Sequence, residues 1–183
     1  MAPFYTAKGD QGDTGFLGEG RISKSSLRIE AVGSVDEATA ALGLARALAH
    51  DEKTRGILLH IQKKLYQLMS ELSADPKVAH QFDQISDEDV KWLEEQVEWL
   101  EKQVIMPREF IIPGEGPSSG ALALARTIVR RAERRATALL EAEQIQKTVL
   151  IAYLNRLSSL IFVLEIYETA LSGGDIRLAK DQL

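Results

Sequence analysis

YLNRLSSLIFVL, residues 153–164, decides the fold. Leu154, Leu157, Ile161 and Leu164 recur at helical spacing and form one stripe with Leu150, while Phe162, Val163 and Ile166 place apolar surface on other sides. A helix that is apolar on more than one side is buried on more than one side, at a bundle centre or at a subunit interface. Asn155 is then a polar amide in demanding surroundings. It either satisfies a backbone group or presents its amide to a ligand.

Outward from this stretch the pattern stays helical. The core helix is predicted over about 146–171, stopped by Gly173-Gly174. A fourth helix precedes it over about 119–143, and a third over about 86–104 begins at Ser86 with Asp87, Glu88 and Asp89 in its first turn. A second fits about 51–72, with Ile57, Leu58, Ile61, Leu65, Leu68, Met69 and Leu72 on one face and Asp75-Pro76 closing it. Ser34 with Glu37 has the form of a capping box, so a first helix is predicted over 35–50, carrying Ala38, Ala41, Leu42 and Ala45. MPREFIIPGEGPSSG, residues 106–120, reads as a structured loop. The fold class is all-α: an up-and-down five-helix bundle with an irregular glycine-rich lead at 1–33, the bundle at 34–172 and a tail at 173–183, in one domain.

Composition narrows the function. A net charge of −5 argues against a general nucleic-acid or anionic-membrane surface. There is no cysteine, and His50, His60 and His80 stand apart from any metal-ligand spacing. MAPFYTAKGD lacks an apolar signal core, and no apolar run approaches the roughly 20 residues of a membrane span, so a cytoplasmic protein is expected.

Two unusual stretches remain. RTIVRRAERR, residues 126–135, crowds five arginines and one glutamate into ten residues of helix four. Arg126, Arg130, Glu133 and Arg134 fall outside the apolar arc, Arg131 lies at its edge and Arg135 projects into it. This is either a solvated face with an Arg130–Glu133 pair or a polyphosphate clamp of planar, permanently charged donors. GDQGDTGFLGEG, residues 9–20, is either a plain surface loop or a backbone cradle for phosphate, flanked by Thr6, Lys8, Thr14 and Lys24. It is not a Walker loop, because Arg21 and Ile22 stand where lysine and Ser/Thr are needed.

YTAKGDQGDT with Lys24, RIEAVGSVDE, FIIPGE, RTIVRRAERR and YLNRLSSLIFVL, in this order, resemble the PduO-type ATP:cob(I)alamin adenosyltransferases. The resemblance implies a homotrimer with active sites between subunits. It implies transfer of the 5′-deoxyadenosyl group of ATP to the cobalt of reduced cobalamin, with release of triphosphate. Thr6, Ala7, Lys8, Gly9, Thr14, Gly15 and Lys24 match the family's N-terminal ATP segment. Arg130, Arg131, Glu133, Arg134 and Asn155 match further ATP contacts. Asp36 and Arg126 match a pair placed across the subunit interface beside the corrinoid, and Phe110 an aromatic residue that helps displace the lower cobalt ligand. Asp36, Phe110, Arg126 and Arg130 are the expected catalytic set. Magnesium is expected on the ATP phosphates, with no metal site of the protein's own. A cobalamin reductase or an adenosylcobalamin-dependent enzyme is the expected protein partner, with neither nucleic acid nor membrane.

The chain departs from the family pattern in three places. Lys8 stands where threonine is usual, Glu165-Ile166 replaces a frequent Ala-Arg, and SGGDIRLAKDQL finds no match. The contrary reading is a non-catalytic nucleotide or adenosylcobalamin binding and delivery protein on the same fold. A third is a structural bundle whose arginine face is only an interface. Retention of Phe110, Asp36 and Arg126 beside the ATP residues favours the enzyme.

Overall fold

Helix α5, Val149–Leu171, runs through the middle of the fold, with Tyr153, Leu154, Leu157, Leu160, Ile161, Val163, Leu164 and Ile166 all buried. Contrary to expectation, it is long and apolar enough to cross a membrane by length and composition. The rest of the chain covers 61% of its most apolar window, as a core helix requires. The computed structural model describes residues 7–180. Around α5 stand α1 (Leu27–Leu48), α2 (Glu52–Ser73), α3 (Asp87–Glu101) and α4 (Pro117–Glu141), preceded by strands β1 (Asp13–Gly15) and β2 (Arg21–Ser23). A 3-10 turn, Ala79–Phe82, interrupts the connection from α2 to α3.

Buried positions alternate in steps of three and four along the helices, the spacing of a coiled-coil seam. On α1 the seam is Ala31, Val35, Ala38, Leu42 and Ala45, and on α4 it is Leu122, Ala125, Val129, Ala132, Ala136 and Leu139. Small side chains on both let these helices pack closely. On α2 the seam is Leu58, Ile61, Leu65, Leu68 and Leu72.

Ion pairs and ring contacts give the directions. Arg131 meets Glu37 and Arg135 meets Glu30, so α1 and α4 are antiparallel. Lys64 meets Asp89 and Lys53 lies over Trp99, so α2 and α3 are antiparallel as well. Helix direction alternates along the chain as expected. The neighbours in space are not all neighbours in sequence, however: α4 packs between α1 and α5, and α3 lies on α5. The long 102–116 connection carries the chain from α3 to α4.

Several local expectations shift. Helix one begins at Leu27, not at residue 35, with the Ser26 hydroxyl accepting from the Ile29 amide at 3.4 Å. Ser34 is buried inside the helix and donates to the Glu30 carbonyl at 2.8 Å. A Ser-x-x-Glu pattern inside a helix is tolerated because the hydroxyl bonds back one turn, and Ala31 and Val35 extend the same seam. Helix three ends at Glu101, and helix four starts at Pro117, a residue suited to a first helical position.

The lead is not wholly irregular. Strands β1 and β2 pair antiparallel, Thr14 opposite Ile22. The chain then lies on the end of α2: Leu17 donates to the Ser73 carbonyl at 3.1 Å, and Asp75 to the Leu17 carbonyl at 2.6 Å. Arg28, buried, donates to the carbonyls of Leu72, Ala74 and Gln144 and so ties this end of α2 to the α4–α5 connection.

Candidate active site

The first half of the candidate site is the hairpin. Arg21 grips the Asp13 carboxylate at 2.7 and 3.0 Å and the Lys8 carbonyl at 2.8 Å, while Lys24 Nζ donates to the Gly9 carbonyl at 2.7 Å. The Arg21 hydrogen bond holds the Asp13 carboxyl below its ordinary value. Two cations thus fold the glycine-rich loop around its own carbonyls. Gly18, at φ +139°, lies against the chain just past the end of α2 so closely that a Cβ there would stand 2.5 Å from the Asp75 Cβ. That approach and that backbone conformation require glycine. Ala7, at φ 55°, Lys8, Gly9, Thr14 and Gly15 all lie on this hairpin or its entry. Thr6 lies outside the described residues.

The second half is the outer face of α4 with α5 beside it. Arg131 and Arg135 are held by Glu37 and Glu30 of α1, and Arg135 turns out of the apolar arc to reach its partner at 3.3 Å. Glu133 does not pair with Arg130; it accepts from the Asn155 amide at 2.9 Å. Asn155 is therefore exposed on the flank of α5, not enclosed in its core. Among the described residues no carboxylate pairs with Arg130 or Arg134. These two guanidiniums, one turn apart, line a groove of about 340 Å³ with Glu133, Thr137 and Glu141.

A second cavity of about 360 Å³, lined by Arg28, Glu71, His80, Asp83 and Lys147 among others, has no such excess. Lys147 there is taken by Glu71 and Asp83.

Towards the start of α4 lies the third group. The Arg126 guanidinium sits 5.6 Å from the Phe162 ring, and its Nε is buried without an acceptor. Phe110 is 87% exposed, Asp36 is exposed on α1, and Ile112, two residues beyond Phe110, is exposed as well. Within one chain, no hydrogen bond or ion pair among the described residues joins the hairpin to Arg126, Arg130 or Arg134. The structure therefore groups Arg130, Glu133, Arg134 and Asn155, and leaves the hairpin, Arg131 and Asp36 apart from them.

The family model for cobalamin adenosyltransferase matches residues 4–168. The chain belongs to the cobalamin adenosyltransferase family. The corrinoid adenosyltransferase of Bacillus subtilis is 37% identical over 185 residues, covering 98% of this chain and 93% of that protein. That of Mycobacterium tuberculosis is 38% identical over 182 residues, covering 96% and 92%. A variant of the PduO-type ATP:corrinoid adenosyltransferase from Lactobacillus reuteri complexed with cobalamin and ATP superposes with a TM-score of 0.91 at 31% identity, covering 98% of this chain and 100% of that one. Another variant, complexed with ATP, gives a TM-score of 0.88 at 30% identity, covering 97% and 100%.

For this cobalamin adenosyltransferase family member, the fold adds residues that motif matching missed. The tail holds the Phe110 segment: Ala179 donates to the Phe110 carbonyl and Ile112 to the Arg177 carbonyl, each at 2.8 Å, and Ile111 bridges Leu178. Glu37 and Glu30 sort the arginines into held and free, and their i, i+7 spacing, which puts both on one face of α1, is the sequence signal for it. Glu168, buried on α5, accepts from the His50 amide at 2.9 Å and the Ser118 hydroxyl at 2.8 Å, fixing the start of α4. Burial works to raise its carboxyl, but the His50 amide and Ser118 help outweigh it and hold the group below its ordinary value. Among the described residues no cluster of three His, Asp or Glu side chains is placed to hold a metal.

Proposed function

We infer that the chain is an ATP:cob(I)alamin adenosyltransferase, a transferase that moves the 5′-deoxyadenosyl group of ATP to the cobalt of a reduced corrinoid and releases triphosphate. The observation that carries this is the pair Arg130 and Arg134, free of carboxylates in a chain of net charge −5 and next to the Glu133–Asn155 bond. Cobalt(I) supplies the nucleophile, so the protein needs no serine, cysteine or histidine for attack on the 5′ carbon. It has to hold the reactants in line at near-attack distance and to stabilise the charge gathering on the leaving triphosphate.

Each group then has a task. Arg130 and Arg134 receive phosphate oxygens, and Glu133 and Asn155 present a fixed polar edge to the nucleotide. Ala7, Lys8, Gly9, Thr14, Gly15 and Lys24 close over the phosphates from the hairpin, and Thr6 contributes a hydroxyl to the same nucleotide. Magnesium is carried by the ATP phosphates. Arg131 joins the phosphate contacts only by sharing or leaving Glu37. Phe110, exposed on its loop, displaces the lower axial ligand of the cobalt and eases its reduction.

The assembly is a homotrimer with the site between subunits. Support comes from the separation of hairpin and arginine face within one chain, and from Leu44, Leu48 and Leu124, which remain large exposed apolar side chains. Asp36 of one subunit then meets Arg126 of the next. The medium is the cytoplasm, and the partner is a cobalamin reductase or an enzyme that uses adenosylcobalamin. Delivery without catalysis is the weaker reading, because the relatives and the solved structures bear transferase names.

The decisive experiment is anaerobic incubation with ATP, magnesium and chemically reduced cobalamin, following the corrinoid spectrum. Adenosylcobalamin forms at a rate proportional to protein; formation no faster than in the protein-free control overturns the assignment. Light scattering coupled to size exclusion tests the trimer.

A further inference from the structure

Glu165 lies on the buried side of α5 with 2% of its surface exposed. Its Oε2 is buried and receives no hydrogen bond from the chain. Across the α4–α5 contact, the Arg126 Nε is also buried and finds no acceptor. The Arg126 guanidinium lies 5.6 Å from the Phe162 ring, one turn along α5 from Glu165, so two complementary groups stand near the same α4–α5 contact with no ion pair between them. A buried carboxylate without a donor is costly, and a buried guanidinium Nε without an acceptor is costly too. Closing the pair would relieve both.

Behind the carboxyl lies the small space under the Phe110 segment, lined by Ile111, Gly114, Glu115, Thr169 and Ile176. Glu165 therefore borders the segment that follows Phe110, on the helix that packs against the one carrying Arg126. We propose that Glu165 is a positioning residue for Arg126: ionised, it draws the guanidinium inward against α5, and protonated, it leaves the guanidinium to the outer face, where Asp36 of a neighbouring subunit and the corrinoid compete for it. The proposal rests on the reading that places Arg126 beside the corrinoid.

Burial pushes the Glu165 carboxyl up to about 7, with Arg126 pulling the other way. The other charged groups around it are already engaged. Glu115 pairs with Arg177 at 3.4 Å, Glu168 is held by His50 and Ser118, and Glu94 of α3 pairs with Arg156, more than two turns along α5. Arg130 and Arg134 lie one and two turns further along α4, so the ATP half of the site should not sense the switch.

The test uses the full chain and its Glu165→Gln and Glu165→Ala variants. With saturating ATP, the wild-type KM for the reduced corrinoid is expected to rise about tenfold between roughly pH 6 and pH 8, as Glu165 ionises. Both variants should keep the low-pH value throughout, and KM for ATP should not move. Binding of cob(II)alamin in the presence of ATP, read from its absorption spectrum, should follow the same pattern. An identical pH profile in Glu165→Gln, or an equal change in both KM values, overturns the proposal.

A readout independent of turnover is the Arg126 Nε resonance, assigned with Arg126→Lys. It should shift with a midpoint near 7 in the wild type and stay fixed in Glu165→Gln. A stationary wild-type resonance refutes the coupling even if the chain is an active transferase. A moving one, in a chain that makes no adenosylcobalamin, refutes the proposed function and leaves the coupling standing.

Discussion

The Asn155 amide donates to the Glu133 carboxylate at 2.9 Å, joining α5 to the outer face of α4, where Arg130 and Arg134 have no carboxylate partner among the described residues and Arg134 donates only to the Arg130 carbonyl. Both side chains lie at the surface, so this bond adds little to folding, about 0.5–1 kcal/mol. Its effect should fall on ATP. Asn155→Ala is expected to leave the melting temperature within a few degrees of wild type and to raise KM for ATP at least several-fold; unchanged ATP kinetics would remove Asn155 from the site.

Arg130 and Arg131 are adjacent in sequence but face different partners. Arg130→Ala should cost about 3 kcal/mol or more in transition-state stabilisation, read as loss of kcat at saturating ATP. Arg131→Ala breaks the contact with Glu37 and should weaken α1–α4 packing more than it slows chemistry. Near-normal kcat in Arg130→Ala would refute the clamp.

Phe110, at 87% exposed, carries no packing load in the chain itself. Phe110→Ala should keep the wild-type melting temperature and ATP affinity but slow adenosylation that starts from cobalt(II). Deleting residues from Asp175 onward removes the bonds of Ala179 and Arg177 to this segment and should reproduce much of that defect. Wild-type cobalt(II) turnover in both variants would deny Phe110 its role.

Gly18 combines φ +139° with contact against Asp75. Gly18→Ala should therefore loosen the hairpin from α2 at a cost of about 1–3 kcal/mol in local stability. Faster amide exchange at Leu17 and Asp75, together with weaker ATP binding, is the expected outcome. Exchange unaltered at both amides would show that the contact does not hold the hairpin.

Glu168 sets an acid limit. Its folded carboxyl is held below the ordinary value of 4.5, so the unfolded chain binds the proton more tightly. The stability it contributes is present above 4.5 and is lost as pH falls through the lower folded value. Glu168→Gln should be less stable than wild type near pH 7, with the gap closing as pH falls below 4.5 in thermal melts. A gap that stays constant with pH would mean that the carboxylate's charge is irrelevant.

The sequence by itself determined the helices, because periodicity such as Leu154, Leu157, Ile161 and Leu164 is a local property that each helix displays alone. It also determined the concentration of arginine on α4, and five ordered motifs carried the family. Where local signals competed, it misled. Ser34 and Glu37 look like a helix start, yet the seam through Ala31 and Val35 carries α1 back to Leu27. Only the tertiary structure decided which arginines are free. Glu30 and Glu37 lie about a hundred residues from their partners and reach them because α1 and α4 run antiparallel. The same holds for Glu165 and Arg126, and for the tail on the Phe110 segment. An ion pair or a strand bridge depends on which elements meet, and the energy that chooses those meetings is spread over the whole core.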